Sequence, residues 1–121
     1  MKKDISVIIF DLDNTLYDWY DYWYYGFKIM VDKIEAKSGI SRDIILRDFK
    51  VVHEQHGTSE YGFAIQELSC LKEKHPNENL GKVYEDAIEA CKKERKKHLR
   101  LYPGVMEDLR KIKKKGSLIV G

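Results

Sequence analysis

Asp11, Asp13 and Thr15 place two carboxylates and a hydroxyl at alternate positions near the start of the chain. Two carboxylates this close together are costly to keep ionised unless a cation or a proton compensates their charge. A hard cation such as Mg²⁺ suits them, because it takes oxygen ligands and usually keeps waters and substrate phosphate oxygens. An aspartate can also act as a covalent nucleophile, and a second aspartate nearby can protonate a leaving oxygen and activate water. Two aspartates at this spacing are therefore candidates for a magnesium site, for a covalent nucleophile and for a general acid and base.

The loop at residues 11–15 follows a short apolar run, residues 5–10, that is rich in β-branched side chains. Such a run predicts a strand buried on both faces, as in a parallel sheet. In open parallel sheets, ligands bind just beyond the carboxyl ends of the strands, and the two aspartates stand at such an end. The alternative is structural: Asp11 or Asp13 would only cap the helix that follows, as aspartate commonly does.

Residues 16–100 have the apolar spacing of helices throughout. Breaker residues divide this region into four predicted helices, at about residues 17–37, 42–55, 60–74 and 80–98. Ser41 is predicted to cap the second of these helices through its hydroxyl. A fifth helix, which is amphipathic, carries Val105, Leu109 and Ile112 on its apolar side.

Residues 117–121 predict a second buried strand, so that two strands bracket the helical region. Two parallel strands need a crossover connection, and a two-stranded sheet is not stable without packing partners. We therefore predict an α/β fold in which residues 1–15 and 101–121 form a partial core. Residues 16–100 then form a four-helix insertion after the first strand, called the helical insertion below. A plain helical bundle with two short extensions is the alternative.

The composition is that of a folded domain: of 121 residues, 43% are hydrophobic and 35% are charged. A net charge of only +2 argues against a general nucleic-acid binder. No apolar run approaches the roughly 20 residues that a membrane span needs, and the N-terminus lacks the features of a signal peptide. Cys70 and Cys91 form no CxxC motif, which favours free thiols in a cytoplasmic protein. We therefore expect neither a nucleic-acid nor a membrane partner.

Residues 8–16, Ile-Ile-Phe-Asp-Leu-Asp-Asn-Thr-Leu, resemble the first motif of the haloacid dehalogenase (HAD) superfamily. The helical stretch that follows resembles the α-helical (C1-type) cap of its phosphatase and dehalogenase branches. Residues 101–116, which begin Leu-Tyr-Pro-Gly-Val, resemble the return of the chain to the HAD core. The resemblance implies a partial HAD-like Rossmannoid core of parallel strands with an inserted four-helix cap.

The resemblance also implies a Mg²⁺-dependent phosphatase that hydrolyses a small phosphorylated substrate through an aspartyl-phosphate. It makes Asp11 the nucleophile and a metal ligand, and Asp13 the general acid and base, with its backbone carbonyl as a second metal ligand. Asp13 favours phosphoryl chemistry over carbon–halogen cleavage, because HAD dehalogenases typically lack the second aspartate. Thr15 would steady the loop at the substrate, and Tyr17 and Tyr20 could line the substrate pocket.

The 121 residues contain no match to the three later HAD motifs, which supply a serine or threonine, a lysine and further aspartates. We therefore expect the chain to be the N-terminal portion of a longer enzyme and to be inactive alone. Its sheet would have an exposed edge through which the chain could self-associate. Two other functions stay open. One is a HAD phosphotransferase or phosphomutase that returns the phosphoryl group to a sugar, and the other is a non-catalytic helical interaction module.

Overall fold

The computed structural model describes residues 4–121, so the first three residues of the predicted core segment 1–15 lie outside it. The described chain contains two strands and seven helices: β1 (Val7–Ile9), α1 (Trp19–Ser38), α2 (Arg42–His56), α3 (Ala64–Glu67), α4 (Ser69–Lys74), α5 (Leu80–Val83), α6 (Glu85–His98), α7 (Val105–Lys114) and β2 (Leu118–Val120). The strands pair in parallel, with Val7 opposite Leu118 and Ile9 opposite Val120. The fold is mixed α/β and mostly helical, as predicted. None of the helices in this range has the length and apolar character that a membrane span requires.

The sheet is shorter and more open than the sequence predicted. Each strand has only three residues, although the backbone N–H of Phe10 also donates to the Val120 carbonyl at 2.8 Å. Ile9 is 76% exposed and Leu118 is 61% exposed, so the prediction of strands buried on both faces is wrong for residues 4–121. The physical reason is that each strand has a single neighbour within this range, and α7 is the helix that packs against β2.

α1 and α2 begin and end within two residues of their predicted positions. α1 is followed by Gly39, which is left-handed (φ 71°) and whose N–H donates to the Glu35 carbonyl at 2.9 Å. α2 is followed by Gly57 in the same left-handed conformation (φ 66°), which glycine adopts without a steric penalty. The predicted hydroxyl cap at Ser41 is wrong, because its side chain makes no hydrogen bond to the first turn of α2. Ser41 is exposed, so water can satisfy those N–H groups instead.

The third and fourth helices predicted in the helical insertion are broken in the structure. The segment predicted as 60–74 folds as α3 and α4, with Leu68 extended between them (φ −66°, ψ 117°). The segment predicted as 80–98 folds as α5 and α6, which meet at Tyr84 (φ −108°, ψ 25°). Leu68 and Tyr84 are both fully buried, so the packing of large side chains outweighs the local preference for continuous helix. The described chain therefore has six helices here instead of four.

Side chains support both breaks. The Asp48 carboxylate on α2 accepts a hydrogen bond from the backbone N–H of Cys70, with 2.7 Å between Oδ2 and N. Cys70 stands in the first turn of α4, where backbone N–H groups have no partner inside the helix. At the second break, the hydroxyl of Tyr84 lies 3.0 Å from Nε2 of His75. These contacts depend on tertiary structure and not on local sequence.

The hydrophobic core lies among the helices α1 to α6. Its fully buried side chains include Ile34 on α1, Phe49 on α2 and Leu71 on α4. The most extensive helix–helix contact joins α1 to α6. Cys70 and Cys91 are both free thiols, as predicted. The division of the chain into a core and a separate cap stays a prediction.

α7 packs beside the sheet with the predicted apolar side. Val105, Leu109 and Ile112 are half-buried, whereas the residues between them are exposed. Gly104 (φ 85°) precedes the helix and Gly116 (φ 87°) follows it. Both glycines are left-handed, and they let the chain turn sharply into α7 and out of it towards β2.

α1 and α6 approach each other closely at Gly26. A Cβ atom at this position would stand 2.6 Å from Cγ of Arg95 and 3.1 Å from the carbonyl oxygen of Cys91, both on α6. Glycine inside a helix costs about 1 kcal/mol relative to alanine. At Gly26 the helix propensity of α1 is therefore lower than alanine would give, and the missing side chain allows the close approach of α6.

We expect the Gly26→Ala substitution to destabilise the protein, although alanine is the better helix former. Helix propensity improves by about 1 kcal/mol, whereas a methyl group forced between packed helices costs about 1–3 kcal/mol. The free energy of unfolding should therefore fall by about 1 kcal/mol, measured by chemical denaturation with circular dichroism. Ala36→Gly, at an exposed position of the same helix, is the control and should also cost about 1 kcal/mol. A more stable Gly26→Ala protein would contradict the close approach.

Candidate active site

The loop at residues 11–15 forms a tight turn directly after β1. The Leu12 carbonyl accepts hydrogen bonds from the backbone N–H groups of Thr15, at 3.2 Å, and Leu16, at 3.0 Å. Asn14 is left-handed (φ 56°), a conformation that asparagine tolerates better than most residues other than glycine. Residues 11–15 are all exposed. Both carboxylates of the loop are therefore accessible from solvent.

Each aspartate of the loop is hydrogen-bonded to a side chain four residues further along. Thr15 Oγ1 donates to Oδ2 of Asp11 at 3.2 Å, and the Tyr17 hydroxyl donates to Oδ1 of Asp13. The hydrogen bond to Asp13 raises the pKa of Tyr17 to about 12, with a smaller contribution from burial. In both pairs one carboxylate oxygen is held by its neighbour, which orients the side chain.

The helix that follows the loop has a cap of its own. Asp18 is the N-cap of α1, and its Oδ1 accepts a hydrogen bond at 3.1 Å from a backbone N–H in the first turn. Asn14 adds a second contact, because its Oδ1 accepts from the backbone N–H of Trp19 at 2.9 Å. The alternative in which Asp11 or Asp13 caps this helix is therefore wrong.

The ends of the two strands and the return segment meet at this loop. Gly121, which follows β2, lies against Leu12: a Cβ atom at Gly121 would stand 3.0 Å from Cδ2 of Leu12. The backbone N–H of Tyr102 donates to the Leu16 carbonyl at 2.7 Å. The returning segment therefore meets the chain just after the loop, at Leu16, and the end of β2 lies beside the same loop at Leu12.

Asp11 and Asp13 offer oxygen ligands of the kind that Mg²⁺ takes. Mg²⁺ usually keeps several waters and binds through one or two carboxylates, so an exposed pair on a tight turn fits its preferences. Across residues 4–121, no three or more His, Cys, Asp or Glu side chains are grouped so that they could hold a metal ion. The loop could therefore supply part of a magnesium site, with the other positions left to water or phosphate oxygens.

The three residues predicted to bind substrate have different surroundings. Thr15 and Tyr17 are both hydrogen-bonded to carboxylates of the loop. Tyr20 is 60% exposed and stacks on Tyr24, with ring centroids 5.6 Å apart. The structure thus brings Thr15 and Tyr17 to the carboxylates of the loop. Tyr20 lies in the first turn of α1, where its ring contacts Tyr24. The substrate-binding role of all three stays a prediction.

The sequence did not predict the left-handed turn at Asn14 or the hydrogen bond between Tyr17 and Asp13. The available signal was spacing, since Asp11 and Thr15, like Asp13 and Tyr17, are four residues apart. That spacing brings side chains together in a helix. Here the residues form a turn, so the helical rule did not apply and only the structure shows the contacts.

We expect the Asp13→Ala substitution to lower the pKa of Tyr17 from about 12 towards its ordinary value of 10.0. The substitution removes a hydrogen-bond acceptor and a negative charge, both of which favour the protonated phenol. Carbon-13 NMR of labelled tyrosine follows each titration separately. Tyr61 is an internal control, because a different carboxylate, that of Glu67, raises its pKa. An unchanged Tyr17 titration in the variant would contradict the contact.

Comparison with known proteins identifies the family of the chain. The family model of the haloacid dehalogenase-like hydrolases matches residues 8–119, which is almost the whole chain and includes the loop with both aspartates. No curated protein and no solved structure gives a significant match. The chain belongs to the haloacid dehalogenase-like hydrolases, as the motif at residues 8–16 predicted.

Proposed function

We propose that the chain carries the nucleophile and part of the magnesium site of a phosphatase that acts on a small phosphomonoester through an aspartyl-phosphate. One observation carries the proposal: Asp11 and Asp13 are both exposed at the carboxyl end of β1, while a different residue, Asp18, caps α1. Membership of the family supports hydrolase chemistry in general. The second aspartate favours phosphoryl transfer within that chemistry, because it offers a proton donor beside the nucleophile.

In the proposed reaction, Asp11 attacks the phosphorus atom of the substrate. Thr15 holds Oδ2 of Asp11, and Oδ1 forms the new bond to phosphorus while the bond to the leaving oxygen breaks. Asp13 gives a proton to that oxygen, so the product leaves as a neutral alcohol. Asp13 then accepts a proton from a water molecule that attacks phosphorus. This second attack releases inorganic phosphate and restores the Asp11 carboxylate.

Tyr17 has a positioning role in this scheme. Its hydroxyl donates to Oδ1 of Asp13, so Oδ2 is the oxygen that carries the transferred proton. The Asp11 carboxylate and the backbone carbonyl of Asp13 would hold Mg²⁺, whose positive charge offsets the charge of the phosphoryl oxygens. Because Thr15 and Tyr17 each hold one oxygen, the two carboxylates keep separate orientations for their separate tasks.

Phosphoryl transfer depends on positioning and on stabilising the charge around the phosphoryl oxygens. The family resemblance implies three further groups for this purpose, and the 121 residues contain no match to the motifs that supply them. Loss of one comparable donor costs about a hundredfold to a thousandfold in rate. We therefore expect turnover by these 121 residues alone to fall below detection.

We expect Asp11→Asn, introduced in the protein encoded by the complete gene, to slow Mg²⁺-dependent hydrolysis of p-nitrophenyl phosphate at least about a thousandfold. The reason is that a neutral amide is a far weaker nucleophile than a carboxylate. Release of p-nitrophenolate measures kcat. Asp18→Asn is the matched control, because it makes the same chemical change at a helix cap where asparagine serves as well as aspartate, and it should leave the rate within about twofold.

Equal rates for Asp11→Asn and the unsubstituted protein would contradict the assignment of the nucleophile. If the unsubstituted protein hydrolyses nothing, the result would favour a non-catalytic helical interaction module. A sugar acceptor added to the assay distinguishes a phosphatase from a phosphotransferase or phosphomutase. A phosphotransferase or phosphomutase would place the phosphoryl group on the sugar and release little inorganic phosphate.

The metal site can be tested on the 121 residues without turnover. We expect Mn²⁺, used as a paramagnetic substitute for Mg²⁺, to broaden the amide NMR signals of residues 11–15 before those elsewhere, because oxygen ligands suit both cations. Asp11→Asn should remove this selective broadening, and Asp18→Asn should keep it. Equal broadening around an unrelated exposed carboxylate, such as Asp43, would argue against a dedicated site.

A further inference from the structure

A cavity of about 130 Å³ lies between α1, α2, α6 and residues 59–65. Most of the side chains around it are apolar and include Phe27, Met30, Phe49, Ile65 and Ile88. An open cleft of about 550 Å³ adjoins it and shares Phe27, Phe49, His53 and Ser59 with it. The cavity is large enough for several water molecules or a small organic group, and the cleft gives it access to solvent.

Arg95 places a permanent positive charge at the wall of this cavity. Its Nε is buried and has no hydrogen-bond partner among residues 4–121. The absence of a side chain at Gly26 makes room for Arg95, since a Cβ there would stand 3.0 Å from Nε. The guanidinium also lies over the ring of Tyr22, 5.4 Å from the ring centroid. Buried polar groups are nearly always hydrogen-bonded, so the unpartnered Nε–H marks a guanidinium whose hydrogen-bonding capacity is only partly used by the described residues.

The other polar groups of the cavity do not add a second buried charge. Burial lowers the pKa of His53, which leaves its imidazole neutral at neutral pH. Burial also raises the pKa of the Cys91 thiol, which stays protonated. Lys92 and Glu60 are exposed residues of opposite charge at the rim. Arg95 is therefore the one partly buried cation among the described residues that line this cavity.

We propose that this cavity binds a carboxylate attached to a small apolar body, with the carboxylate accepting hydrogen bonds from the Arg95 guanidinium. The planar guanidinium matches a planar carboxylate in geometry. A doubly charged phosphate would need more donors than this apolar cavity supplies, because an unpaired charge is costly to bury. Phe27 and Phe49 offer the surface for the apolar body.

The proposed site is connected to the loop that carries the aspartates. The ring of Tyr22, which lies under Arg95, contacts Tyr17 edge to face with centroids 6.0 Å apart. Tyr17 in turn donates its hydroxyl to Asp13. A ligand at Arg95 would thus be separated from Asp13 by two aromatic rings. The proposal concerns binding only and does not depend on the phosphatase chemistry.

We expect benzoate to bind at this site and benzamide, which has a similar shape without the charge, to bind at least about tenfold more weakly. Nitrogen-15 NMR of the unsubstituted 121-residue protein follows the Nε–H signal of Arg95 directly. A saturable shift of that signal with benzoate, accompanied by shifts of the methyl groups of Ile65 and Ile88, is the expected result. Failure of the Arg95 signal to shift would overturn the proposal.

Two variants give an independent test by calorimetry. Arg95→Gln should weaken benzoate binding at least about tenfold, whereas Lys93→Gln, at an exposed position of the same helix, should leave it unchanged. If Arg95→Gln does not fold, the NMR titration of the unsubstituted protein decides the matter. Unchanged binding by a folded Arg95→Gln protein, equal binding of benzamide, or tighter binding of inorganic phosphate at the same residues would each overturn the proposal.

Discussion

One backbone hydrogen bond, from the N–H of Tyr102 to the carbonyl of Leu16 at 2.7 Å, closes the long excursion that the chain makes between its two strands. Parallel strands require a crossover connection, and here six helices stand between them in addition to α7. Because the excursion ends beside its start, α7 is the one helix that separates this closure from β2 within the described residues. The loop with Asp11 and Asp13 lies at this closure, between the strand ends and the first helix.

α1 links this closure to the hydrophobic core. Its first turn is tied to the loop by Asn14 and capped by Asp18, and its middle packs against α6 at Gly26. A helix is a stiff element, so the packing of its middle also orients its first turn. The hydrogen bonds within the loop are therefore supported by contacts between residues much further along the chain, which no local sequence pattern describes.

The sequence predicted the order of strands and helical segments, and the loop at residues 11–15 after β1, because these depend on local signals. A β-branched run, breaker glycines such as Gly39 and Gly57, and helical apolar spacing are each visible within a few residues. The breaks at Leu68 and Tyr84 depend on burial between helices, and the exposure of Ile9 depends on which elements cover the sheet. In the candidate site, the sequence indicated which residues are candidates. The contact between Tyr17 and Asp13 depends on the geometry of the turn, which the sequence did not predict.

Both tryptophans of the chain stand at the same end of α1. Trp19 and Trp23 stack with centroids 5.9 Å apart, and the indole N–H of Trp23 donates to the Ser59 carbonyl at 3.1 Å. Trp23 also lines the open cleft beside Phe27. The intrinsic tryptophan fluorescence of the protein therefore originates in one small region, between the cleft and the aspartate loop. Changes in emission wavelength or quenching will report on that region without any introduced label.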